Sequence, residues 1–178
     1  MSFLLPIGAA VGTIFLGAAQ GVPVSQIPGA SIDFYFNRVA AVVGSDSMTL
    51  SYWDSLELPG VPFTFDSMIR GGLVLTAAAL VSSITVFFLG LVGMKTNQKL
   101  PYLLATVCAF LVILFGSIGL GIHRKYVEDL LENAGSPESP DNGPGFALQI
   151  VGILIHIPIV AIALMLASKA SGDSPSKA

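Results

Sequence analysis

From Gly71 to Met94 the chain reads GGLVLTAAALVSSITVFFLGLVGM, a run with no ionisable side chain, fenced by Arg70 before it and Lys95 after it. At 1.5 Å per residue a helix of this length extends about 36 Å, enough to cross a hydrocarbon core of about 30 Å with some tilt. No water reaches the backbone inside that core. The peptide groups must therefore bond one another, which a continuous helix achieves without help from the rest of the chain. Residues 70–94 are read as a membrane span, and the other segments are placed relative to it.

Composition agrees. Of 178 residues, 53% are hydrophobic and only 11% charged, with a mean hydropathy of +0.81, whereas about a quarter of the residues of a soluble domain carry charge. The chain is expected to be an integral membrane protein with the lipid bilayer as its first partner. Net charge is −3 and no Lys/Arg run is present, which argues against a nucleic-acid partner. The single cysteine, Cys108, rules out an intrachain disulfide and reads as a small buried hydrophobe.

C-terminal to the second span, KTNQK (95–99) turns the chain straight back, so the third span, 100–123, is an antiparallel neighbour of the second. Tyr102 is expected at the interface, and Gly116, Gly119 and Gly121 thin the far end. Through HRKYVEDLLE this helix is expected to overrun the membrane to about 132. The Pro/Gly/Ser-rich piece 133–145 reads as a mobile connector, 146–167 as the fourth span, and 168–178 as a polar tail.

N-terminal to the second span, residues 2–21 form the first span, with Gly8 and Gly12, then Gly17 and Gly21, at small-xxx-small spacing. No basic residue precedes its apolar run, so it is read as retained rather than as a signal peptide. In the loop 22–69 the hydrophobic period changes from helical to alternating. IDFYFNRV sets Ile32, Phe34 and Phe36 against Asp33, Tyr35 and Asn37, and SMTLSYWDSL sets Met48, Leu50 and Tyr52 against Thr49, Ser51 and Trp53. With VVGSDS as the turn, the two stretches predict an antiparallel hairpin or small sheet. Asp66 or Ser67 is the expected N-cap of the second span.

Lys95 and Lys99 stand without an acid in the tight turn, Lys169 and Lys177 lie in the tail, and nearly all the acids fall in the other two loops. The positive-inside rule then puts both termini in the cytoplasm and the strand-bearing loop outside. The expected setting is the plasma membrane, with an organellar membrane left open.

His156, with Pro158 two residues on, is the one ionisable side chain deep inside a span, where its charged form would be costly. The bland reading is a neutral imidazole bonded to a neighbouring helix or to backbone freed by Pro158. A proton relay, lipid head-group or metal role lacks a second His, Asp or Glu within the spans. Gln149 is expected to bond another helix, and Ser82, Ser83 and Thr85 to bond back to their own. Arg70 is expected to anchor at the interface or to pair with Asp66 or a lipid phosphate. Trp53 is expected to nucleate the sheet, seat in the interface or touch a partner. With Tyr35 and Arg38 of the same loop, these residues form the candidate interaction or structural set. Neither a nucleophile–base pair nor a phosphate loop is present, so no catalysis, cofactor or metal is expected.

Four spans, a long strand-bearing first loop with a tryptophan, a two-lysine turn and an overrunning third helix together resemble the claudin superfamily. MIRGGLVLTAAAL and LVGMKT are similar to the ends of that family's second helix, GIHRKYVEDLL to the exit of its third, and LSYWDSL takes the place of its Gly-Leu-Trp motif, with Trp53 as the counterpart. The family's two first-loop cysteines are missing, as is the hydrophobic C-terminus of classical claudins, so the resemblance is to a distant member. It implies an all-α membrane protein, a four-transmembrane-helix bundle with a small extracellular β-sheet in the first loop. Its expected work is non-enzymatic interaction with other membrane proteins, by homo-oligomer or with a larger unlike subunit. An auxiliary subunit of a channel, transporter or membrane enzyme is the alternative, and a small transporter using His156 the weaker one.

Overall fold

The computed structural model describes residues 2–27, 31–43, 46–52, 67–133, 135 and 139–170. Trp53, Asp66 and the tail from 171 onward lie outside these residues. Four helices, α1 (Leu4–Gly21), α2 (Ser67–Thr96), α3 (Lys99–Asn133) and α4 (Pro144–Lys169), are each long and apolar enough to cross a membrane. The protein is an integral membrane protein built on a four-helix bundle. Each helix packs on the next in sequence and α4 returns to α1, so the bundle is a closed ring.

Its interior is the reverse of a soluble core. The buried positions are mostly small, among them Ala9, Gly12, Ala79, Gly90, Gly93, Ala105, Ala109, Gly119, Gly152 and Ala163. Large apolar side chains such as Ile14, Val81, Phe88, Phe110 and Leu154 stand on the outer face. Lipid tails are as apolar as leucine, so turning leucines inward gains little, and helices associate where small residues let their backbones approach. A Cβ on Gly93 would lie 2.6 Å from the Tyr102 ring. Tyr102, in the first turn of α3, is 2% exposed, its ring filling this groove between α2 and α3.

At the turn between α2 and α3, Asn97 adopts φ 51° and its N–H donates to the Gly93 carbonyl at 2.8 Å, a left-handed C-cap that asparagine tolerates well. At the other end α3 extends for 35 residues, about 52 Å, and so projects well beyond a 30 Å core. Arg124–Glu128 and Lys125–Asp129 pair along its exposed side. Its other side buries Tyr126, Val127 and Leu131 against Phe34, Tyr52 and Ile69.

The projecting end carries an antiparallel sheet of β1 (Ser25–Gln26), β2 (Ile32–Phe34), β3 (Arg38–Val43), β4 (Asp46–Ser51) and β5 (Asp141–Asn142), in the order β4-β3-β2-β1-β5. Three expectations are corrected here. IDFYFNRV is not one strand: the chain turns after Phe34, where the Tyr35 N–H donates to the Arg38 carbonyl at 2.8 Å. Alternation misled because Phe34 and Phe36 are both buried although only Phe34 belongs to a strand. VVGSDS is mostly strand, since β3 runs to Val43 and β4 starts at Asp46. The connector 133–145, read as mobile, supplies β5, which pairs Asn142 with Ser25 and Asp141 with Gln26.

Glycine makes that last pairing possible. A Cβ on Gly143 would lie 2.3 Å from the Pro23 carbonyl oxygen, and one on Gly145 would lie 2.8 Å from that of Val22. Both obstacles are backbone, which cannot rotate aside. The Gly143 and Gly145 N–H groups donate to the Val24 and Pro23 carbonyls at 2.9 and 2.7 Å. Gly143→Ala is therefore expected to destabilise the fold by about 1–3 kcal/mol and to speed amide exchange at Gly143 and Gly145, measured by hydrogen exchange in nanodiscs, with helix amides at mid-membrane unchanged.

Candidate functional site

Two polar clusters interrupt the apolar packing, one inside the bundle and one where the sheet meets it. In the bundle, His156 is fully buried, with its ring edge against Gly12 of α1. Its Nδ1 lies 2.8 Å from the Gly152 carbonyl, one turn back on the same helix, and its Nε2 lies 3.0 Å from the Ser83 hydroxyl of α2. Ser83 Oγ in turn lies 2.7 Å from Thr13 Oγ1 of α1, which also reaches the Ala9 carbonyl at 2.8 Å.

The hydrogens can be counted. A carbonyl only accepts, so Nδ1 donates to Gly152. In the neutral imidazole Nε2 then accepts from Ser83, and Ser83 accepts from Thr13. Reversing the two hydroxyls, so that Nε2–H donates to Ser83, Ser83 to Thr13 and Thr13 to Ala9, makes all four contacts hydrogen bonds but requires the protonated imidazole. The neutral form has one hydrogen fewer and leaves the Thr13–Ala9 contact without one; in either form the chain ties α1, α2 and α4 together at one level.

Ser83, expected to bond back to its own helix, is thus an interhelical partner. Thr85 does bond back, to the Val81 carbonyl at 2.9 Å. Pro158 leaves the carbonyl four residues earlier, that of Leu154, without its usual donor, but the imidazole bonds Gly152 instead. Gln149, expected to bond another helix, has no partner for either amide atom among the described residues. No group of three metal-ligating side chains occurs among them.

At the sheet end, Tyr52 and His123 are buried side by side. Both donate to one acceptor, the Tyr35 carbonyl, at 2.7 Å from the phenol and 3.0 Å from Nε2, which a carbonyl with two lone pairs accommodates. Phe36 meets the imidazole edge-on with ring centroids 5.3 Å apart. Arg70 Nε donates to the Tyr52 carbonyl at 2.9 Å, and the Arg38 guanidinium lies 4.3 Å over the Tyr35 ring. Three of the candidates, Tyr35, Arg38 and Arg70, are therefore brought together, and His156 stands apart in the bundle. Arg70 turns inward to backbone; its suggested pairing with Asp66 lies outside the described residues, as does Trp53.

His123 was not singled out in the sequence. It sits at a span end beside Arg124 and Lys125, where a histidine reads as one more surface cation, and its burial depends on a sheet that folds over it. In the sequence Tyr52 reads only as one of the alternating apolar residues of its stretch.

Two outcomes follow. A Cβ at position 12 would lie 2.5 Å from His156 Cε1, whereas at position 8 it meets Ile159 at an ordinary 3.4 Å. Gly12→Ala is expected to cost about 1–3 kcal/mol and Gly8→Ala less than about 0.5 kcal/mol, read from unfolding in mixed detergent micelles. The second concerns pH. Burial, and secondarily Tyr126, pushes the Tyr52 phenol well above its ordinary value, so the folded protein holds it neutral. That contribution is complete below the unfolded tyrosine value of about 10 and is lost as pH rises beyond it. The stability difference between wild type and Tyr52→Phe, from thermal midpoints, should be constant to about pH 9 and shrink above about pH 10.

No family model matches the chain, and no curated protein matches it.

Proposed function

We propose that this protein works by contact: a claudin-like tetraspan whose bundle holds a small extracellular sheet as an interaction surface, with no catalytic step of its own. The observation that carries the reading is the gradient along the β3–β4 hairpin. At its base, where Arg38 pairs with Ser51, the strands are pinned by Tyr52, Arg70 and the Arg38–Tyr35 contact. Toward its tip, Val42 is 52% and Met48 41% exposed. Ala41 pairs with Met48, so the next residue, Val42, points to the opposite face. The far half of the hairpin thus shows apolar side chains on both faces, and the sheet order puts β4 at one edge. Exposed apolar groups beside a sheet edge suit strand or loop association with another chain.

A sheet held stiffly at its base costs little ordering when a partner binds its tip. The favoured partner is a second copy in the same or an apposed plasma membrane, with the termini cytoplasmic as the lysine distribution directs. Size determination of the full chain in nanodiscs or mild detergent, with mass spectrometry of what co-purifies, is expected to give homo-oligomers. Both tip residues are exposed, so a Val42→Glu/Met48→Glu variant should fold and weaken self-association at least about tenfold. Unchanged oligomers in that variant would sink the reading, and a stoichiometric unlike polypeptide would replace it with the auxiliary-subunit role.

A further inference from the structure

A second polar layer lies one heptad closer to the sheet than His156. Thr13 meets Ser83, and α1 and α2 run antiparallel, as Gly90 against Leu5 and Gly17 against Leu80 show. Seven residues on along α1 and seven back along α2 bring Gln20 and Thr76 to one level. Gly12 packs on His156, so the same step on α4 adds Gln149. From α3 come two glycines: a Cβ on Gly116 would lie 3.5 Å from Gln149 Nε2, and one on Gly119 would lie 2.7 Å from Thr76 Cγ2. The two layers are about 10.5 Å apart.

They differ in one respect. Every hydrogen-bonding atom of the Thr13, Ser83 and His156 side chains has a partner, whereas Gln149 is fully buried with neither amide atom bonded, and Gln20 Nε2 is buried and unbonded as well. Exchanging the amide nitrogen and oxygen of Gln149 would not help, since both lack partners. Thr76 spends its hydrogen on the Leu73 carbonyl at 2.9 Å and keeps its lone pairs. Three bare polar atoms in one buried layer would consume a large share of a membrane bundle's net stability. No charged side chain enters the layer among the described residues, so it calls for a neutral hydrogen-bonding molecule small enough to be enclosed.

We infer that Gln149, Gln20 and Thr76 form a built site for ordered water inside the bundle, beside the close α3 contacts of Gly116 and Gly119. Buried waters make about three hydrogen bonds each to polar groups that are otherwise unsatisfied, and this layer offers two amide donors and the carbonyl from Gln149, an amide nitrogen from Gln20 and the Thr76 oxygen. The site lies on the sheet side of His156. Toward the Lys95 end the core below His156 is formed by Ala9, Val86, Tyr102, Ala105, Ala109, Ile159 and Ala163, apolar but for the Tyr102 hydroxyl. This inference is independent of the proposed contact function.

Isotope-labelled full-length protein in nanodiscs provides the test, by rotating-frame cross-relaxation between the water resonance and side-chain amide protons. Cross-peaks to water are expected from both Gln149 and Gln20, with the Gln20 peak reduced several-fold in Gln149→Leu, which also assigns the Gln149 signals. A wild-type Gln149 amide that relaxes only with protein protons would overturn the site. So would a Gln20 cross-peak untouched by Gln149→Leu, because the two residues would then not share their water.

Discussion

Close backbone approach in lipid is the constraint on which this structure depends. Water gives no reward for gathering leucines at the centre, so the helices are held by van der Waals contact over small residues and by a few hydrogen bonds. Gly12 admits the imidazole of His156, Gly93 the ring of Tyr102, and Gly152 the side chain of Leu16. The polar groups in this interior have little freedom of placement. Thr13, Ser83 and His156 meet because the helices are near enough for short side chains to touch, and that contact in turn fixes their register.

At the sheet end the rules become those of a water-soluble domain. Phe34, Phe36 and Tyr52 are buried beneath strands, and the excess length of α3 supplies the surface they pack on. The join between the two regimes is made by backbone carbonyls: Tyr35 receives Tyr52 and His123, and Tyr52 receives Arg70. A bilayer-embedded ring is thereby made rigid with a sheet that needs no disulfide.

The helices were legible because hydropathy over some twenty residues is a local property; of the small-residue pairs, Gly12 does sit in a helix contact, whereas Gly17 and Gly21, at the same spacing, are exposed. The sheet was legible only as two alternating stretches. Alternation measures which side of a chain is covered, not whether it is hydrogen-bonded, so Phe36 read as strand although it lies in a turn. β5 left no pattern at all, since two residues amid prolines and glycines form a strand only because β1 is waiting beside them. Among the candidate residues, His156 was visible by its rarity in a span. His123 was hidden because the groups that bury it are 70 and more positions away.

The pairing of Ser25–Gln26 with Asp141–Asn142 has a consequence for how the protein is made. β1 lies between β2, which follows at once, and β5, which leaves the ribosome more than a hundred residues later, and α1 likewise gains its α4 contact only with the last helix. Contacts this distant in sequence form late. During synthesis α1, the shortest and least apolar of the four spans, must therefore wait in the bilayer with only α2 at its side and one edge of its strand unpaired. The interval before ring closure is when the nascent chain is most open to capture by another membrane protein.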